Sequence, residues 1–156
     1  MWYLSMRSSE MPRIYLDNCC FNRPYDNQND INIHLETEAK LYLQGQIKRG
    51  YYELVWSYIL EYENSNNPNI ENRGLIADWS KLSVENVSAS NGLLQKAEQL
   101  LGLGIDQYDA LHIAAASEAK CDIFVTTDKS ILKRIPAFKG MKVLNPIEVV
   151  REERVE

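Results

Sequence analysis

Short apolar runs that end in polar residues, each separated from the next by a stretch with helical spacing, constrain this chain more than any other feature. Arg13–Leu16 is aliphatic and aromatic and runs into Asp17-Asn18. Residues 52–56 end at Ser57, residues 122–126 are nearly continuously apolar and lead into Thr127-Asp128, and Met141–Leu144 precedes Asn145-Pro146. Such runs read as strands, the third one as a strand buried on both faces. Residues 83–87 read as one more short strand. Between them, residues 31–49 carry Ile31, Leu35, Ala39, Tyr42, Leu43 and Ile47 at helical spacing, with Asp30 as N-cap and Gly50 as the stop. Residues 58–63, 70–82, 91–101 and Lys129–Arg134 also read as helices, as does a segment from the cap Asp106 to about Lys120. Strands alternating with helices predict an α/β fold with a mainly parallel sheet.

A chain of 156 residues is one domain's worth of sequence, and 45% hydrophobic with 25% charged residues suffices for a core without disulfides or structural metal. We expect residues 1–10 to be an N-terminal extension, 11–150 the domain, and 151–156 a charged tail that frays. Apolar stretches fall far short of the ~20 residues a membrane-spanning helix needs. The first ten residues do not read as a secretory signal. Of three cysteines, Cys19 and Cys20 are adjacent and Cys121 is distant, which argues against a disulfide framework and for a reducing cytoplasm. A zinc site from these cysteines and His34 lacks Cys-x-x-Cys spacing. With 17 basic and 22 acidic residues the net charge is −5, so the chain lacks the positive field of a protein that grips nucleic acid by charge alone. It does not disfavour a metal-dependent enzyme, whose carboxylates are neutralised by the ion they hold.

In open α/β sheets, ligands bind beyond the carboxyl ends of the strands. Asp17 follows the first strand, Ser57 follows the second with Glu61 one helical turn on, and Thr126-Thr127-Asp128 follows the long apolar strand. Asp109 lies near the start of the Asp-Ala-Leu-His-Ile-Ala segment. Each acid has an ordinary explanation taken singly: Asp109 favours a helix dipole, Asp128 and Asp106 can cap, and Glu61 can share a solvated helix face with Glu63. Four carboxylates converging at one sheet edge repel one another unless a cation sits among them, and oxygen ligands favour Mg²⁺ or Mn²⁺.

The strand ending Ile-Tyr-Leu-Asp17-Asn18, the Ser57-Tyr-Ile-Leu-Glu61 element, the Asp109-Ala-Leu-His-Ile-Ala helix and the Phe-Val-Thr-Thr-Asp128-Lys stretch resemble, in order and spacing, the four acidic motifs of PIN-domain ribonucleases. The resemblance spans roughly residues 13–150. It implies a three-layer α/β/α domain with a mainly parallel central sheet and a Mg²⁺- or Mn²⁺-dependent endonuclease acting on RNA, leaving 5′-phosphate and 3′-hydroxyl ends. It also implies a toxin of a toxin-antitoxin pair, with an antitoxin partner, and a homodimer, since many relatives are such toxins and many form dimers. Asp17 and Asp109 are then the most direct metal ligands, completed by Glu61 and Asp128. Asn18 stands where family members commonly have Thr or Ser.

Asn18, Ser57 and Thr127 are candidates to orient ligands or contact phosphate, and Arg23 and Lys129, with Lys133 and Arg134, to bind the RNA backbone. Tyr25 and Tyr58 are candidates to stack on unpaired bases. His112, three residues after Asp109, either faces the site or packs against the sheet. The alternative from another class is a PIN-like module that binds RNA or a protein without turnover. A phosphatase of the Asp-x-Asp type is excluded by Cys19, and nucleotide-binding glycine motifs are absent.

Overall fold

A computed structural model describes residues 11–155. The chain runs β1 (Arg13–Leu16), α1 (Asn18–Asn22), a 3-10 turn (Arg23–Tyr25), α2 (Ile31–Lys48), β2 (Glu53–Ser57), α3 (Tyr58–Ser65) and α4 (Ile70–Asp78). A second 3-10 turn (Trp79–Leu82) leads to β3 (Glu85–Val87), α5 (Asn91–Gly102), α6 (Gln107–Glu118), β4 (Ile123–Val125), α7 (Lys129–Arg134), β5 (Ala137–Phe138), β6 (Met141–Leu144) and α8 (Pro146–Val155). The expected N-terminal extension, residues 1–10, lies outside the described residues.

Six strands form one sheet in the order β3-β2-β1-β4-β6-β5, parallel except for β5, which pairs antiparallel with β6. Helices α2 and α8 pack together, as do α5 and α6, giving the three-layer α/β/α arrangement that the resemblance implies. Burial follows from that sandwich. Ile14, Tyr15 and Leu16 of β1 are buried in succession, as are Leu54, Val55 and Trp56 of β2, because helices cover both faces of the sheet.

Topology decides where a site can form. From β1 the chain winds outward through β2 and β3, then returns to place β4 on the other side of β1. The sheet therefore reverses direction between β1 and β4, and the crevice outside their carboxyl ends is where such sheets bind ligands. Leu16 pairs with Val125, so Asp17 and Thr126 leave the sheet side by side. The Asp17 amide donates to the Val125 carbonyl at 2.9 Å, which fixes that register into the first residue beyond the strand.

At the other end of the sheet Arg13 ties three strands together, reaching Glu53 at 3.1 Å, Glu85 at 2.7 Å and the Ala119 carbonyl at 2.8 Å.

The structure departs from the sequence reading in four places. Residues 70–82 break at Asp78, the last turn tightening into a 3-10 turn. Asn18–Asn22 is helical, the Asn18 amide met by the Asp17 side chain and those of Cys20 and Phe21 by the Asp17 carbonyl, a cap too local to leave any periodicity. The β5 hairpin arm is only two residues long. Residues 151–155, expected to fray, continue α8, which Pro146 opens at its first position and Asn145 caps by accepting from the Ile147 amide at 2.9 Å. Glu153 anchors that helix to the domain: its carboxylate accepts from Tyr42 at 2.8 Å, Gln46 at 2.9 Å and Tyr52 at 2.7 Å.

Candidate metal centre

Asp17 sits at the turn between β1 and α1 and is 4% exposed. A carboxylate that deep must be fully partnered. Its Oδ1 accepts from the Asn18 amide at 2.8 Å, and its Oδ2 from the Thr126 hydroxyl at 2.9 Å and the Cys19 thiol at 3.4 Å. Thr126 in turn accepts from the Asp128 amide at 3.1 Å, so one hydroxyl couples the ends of β1 and β4.

Around Asp17 lies a cleft of about 340 Å³ lined by Asp17, Asn18, Cys19, Asn22, Asp26, Glu63, Asp109 and Asp128. Three of the four sequence-predicted carboxylates are among them. Glu61 is not: it is exposed on α3, and Glu63 takes the place in the cleft. Two residues along a helix rotate a side chain by about 200°, so only one of the pair can face inward. The packing of α3 selects which. Ile59 and Leu60 are buried, and Glu63 lies four and three residues beyond them, on their face. That apolar phase was the signal in the sequence that distinguishes Glu63 from Glu61.

His112 of α6 faces the cluster while buried at 1% exposure. Its Nε2 contacts the Glu63 carboxylate and lies 3.8 Å from Asp17 Oδ1, and its Nδ1 is 2.6 Å from the Tyr15 hydroxyl. Tyr15 is also 2.6 Å from Ser57 Oγ. A buried chain thus runs Ser57–Tyr15–His112–Glu63 from sheet to cleft. Both ring nitrogens are occupied, which fixes the imidazole plane.

Asp17, Glu63 and His112 bring candidate ligand atoms within 4.8 Å of one another; with both His112 nitrogens engaged, the donors left for an ion are carboxylate oxygens. The electrostatics agree. Burial, then the charges of Asp17, Asp106 and Asp128, push the Asp109 carboxyl up to about 7. Burial alone would lower His112, but its bond to Glu63 and the charges of Asp17 and Asp109 outweigh it and raise the imidazole. Among the described residues no lysine or arginine pairs with Asp17, Glu63, Asp109 or Asp128. A mainly oxygen donor set with no lysine or arginine paired to it fits a hard divalent cation.

The remaining expected residues fall into place as follows. Asp128 caps α7 through Oδ1, accepting from Ser130 and Ile131, while lining the cleft. Asp106 caps α6. Asn18 lines the cleft, its carbonyl side accepting from Asn22. Ser57 is fully buried, caps α3 through the Leu60 amide and holds Tyr15, so it touches no solvent-borne ligand. Thr127 is buried with its amide on Cys19 Sγ; the hydroxyl that orients Asp17 belongs to Thr126, one residue earlier. Arg23 is engaged by Glu36 at 2.9 Å and Asp26 at 2.8 Å, whereas Lys129 is exposed.

No protein-family model matches the chain, and no curated protein matches it. Among solved structures its fold is similar to the crystal structure of VapBC2 from Rickettsia felis bound to a DNA fragment from their promoter. The TM-score is 0.52 at 18% sequence identity, covering 85% of this chain and 98% of that one. At that identity the likeness is one of fold. No helix among the described residues is long and apolar enough to cross a membrane.

Proposed function

We propose that this chain is a metal-dependent endoribonuclease of the PIN type. The observation that carries the reading is the convergence of Asp17, Glu63, Asp109 and Asp128 on one cleft at the β1/β4 reversal, with His112 behind them and, among the described residues, no lysine or arginine paired with them. Asp17, Glu63 and Asp109 would hold the ion, with Asp128 at the edge of the set, and Mg²⁺ or Mn²⁺ suits those donors. Such an ion supplies acidification of a water molecule and neutralisation of charge on the phosphate, the two needs of phosphodiester hydrolysis.

The chain's own residues do the rest. Thr126 and the Asn18 amide hold Asp17 in one rotamer, so its carboxylate meets the ligand without reorganisation. His112, clamped by Tyr15, holds Glu63. Lys129, exposed just past Asp128, is the residue we assign to an RNA phosphate; Arg23, already paired twice, is left a positioning role for α2. The sequence resemblance, supported by the likeness to VapBC2, leads us to read the chain as the toxin member of a toxin-antitoxin pair acting in the cytoplasm, with an antitoxin partner and a homodimeric form.

The test is cleavage of a mixed single-stranded RNA panel in Mn²⁺ or Mg²⁺ by wild type, Asp17→Asn and Asp109→Asn purified identically. Metal-dependent cutting by wild type and its loss in both variants is the expected result. No cutting and no metal-induced change in melting would leave a binding module in its place.

A further inference from the structure

Tyr62 and Tyr108 form a stacked aromatic pair across α3 and α6, with ring centroids 6.0 Å apart and planes inclined by 21°. Each is the sequence neighbour of a cleft carboxylate, Tyr62 of Glu63 and Tyr108 of Asp109, so the two helices that carry the acids also carry the rings. Both rings face solvent, at 54% and 44% exposure.

Charge gives RNA little hold on this molecule. The net charge is −5, the cleft is acidic, and Arg23 at its margin is spent on Glu36 and Asp26. Beyond Lys129, exposed just past Asp128, affinity for a polyanion then draws on contacts indifferent to charge, and base stacking on aromatic rings is the strongest of these. Of the tyrosines the sequence suggested for this task, Tyr58 is half-buried and packed against the core, while Tyr25 is exposed at the end of the first 3-10 turn.

We propose that the Tyr62–Tyr108 pair is a binding site for an unpaired nucleobase, holding single-stranded RNA beside the carboxylate cleft. The choice of RNA rests on the nuclease reading; the platform itself does not require turnover.

The experiment is fluorescence anisotropy of a short labelled single-stranded RNA and of its duplex, in Ca²⁺, with wild type and the Tyr62→Ala, Tyr108→Ala and corresponding Phe variants. Circular dichroism and size exclusion accompany each variant. Wild type should bind the single strand more tightly than the duplex, each alanine should weaken it about tenfold with the fold retained, and each phenylalanine should stay within about twofold. Alanine variants that bind as wild type, phenylalanines as damaging as alanines, or equal affinity for both RNAs would overturn the proposal. So would no binding by wild type, or alanine variants whose oligomeric state changes, since the pair would then belong to an interface between copies. Tyrosine-dependent binding without cleavage would sustain the platform and remove the nuclease reading; cleavage with tyrosine-independent binding would do the reverse.

Discussion

Asp109 concentrates the electrostatic argument in one carboxyl. Its pKa of about 7 when folded, against an ordinary carboxyl value near 3.8, means that between those pH values the folded protein keeps a proton the unfolded chain has lost. Stability from this group is full below pH ~4 and is lost as pH rises through 7. Asp109→Asn should therefore stabilise the metal-free protein at pH 8 by about 1–2 kcal/mol, allowing for solvent screening of a partly exposed group, and leave it unchanged near pH 3. Urea unfolding at the two pH values in EDTA measures this; equal effects at both would show that burial and the neighbouring charges do not hold the Asp109 carboxyl above its ordinary value.

The residues at the site were unequally legible. Asp17, Asp109 and Asp128 could be found because each follows a strand or opens a helix, where direction is set by local geometry. Glu63 could not be found by the same rule, because it sits inside α3, where the facing side depends on what Ile59 and Leu60 bury. Thr126 was hidden next to Thr127 for the related reason that adjacent residues leaving a strand point to opposite sides.

At the scale of elements, α2 and α8 show what packing adds to pattern. Helix α2 buries Lys40 at 4% exposure over the Phe21 ring, and loss of water lowers its ammonium pKa to about 8. The folded state then binds fewer protons than the unfolded chain between pH 8 and 10.5, so this lysine destabilises at neutral pH and stability recovers as pH rises through that window. Lys40→Met keeps the stem and removes the charge; we expect about 1–3 kcal/mol more stability at pH 7 and a smaller difference at pH 10, read by chemical denaturation.

Helix α8 was illegible because its charged end resembles a tail, although Asn145-Pro146 is a start signal. Its dependence on Glu153 is testable: Glu153→Ala strands the donors of Tyr42, Gln46 and Tyr52 and should cost about 1–3 kcal/mol by urea denaturation. An unchanged midpoint would mean that α8 is held by Val149 and its apolar neighbours alone.

For the molecule as a whole, the alternating strands and helices specified the sheet, and the sheet's reversal beside β1 specified the crevice. What remained open was which side chains turn into it. A fold that gathers like charges at one edge is relieved by a cation, so wild type should melt about 5–10 °C higher at a Mn²⁺ concentration a hundred times the dissociation constant, and Asp17→Asn should not. At one fixed Mn²⁺ concentration the gain should be larger at pH 8 than at pH 6, because the ion competes with the proton that Asp109 holds. Differential scanning fluorimetry across both pH values reads the outcome.

The most direct measurement compares Glu63→Gln with Glu61→Gln for Mn²⁺-dependent cleavage of single-stranded RNA, beside wild type. The geometry predicts loss of at least a hundredfold in rate for Glu63→Gln and wild-type cutting for Glu61→Gln. Full activity in Glu63→Gln, or loss confined to Glu61→Gln, would contradict the assignment of the cleft as the place where RNA is cut.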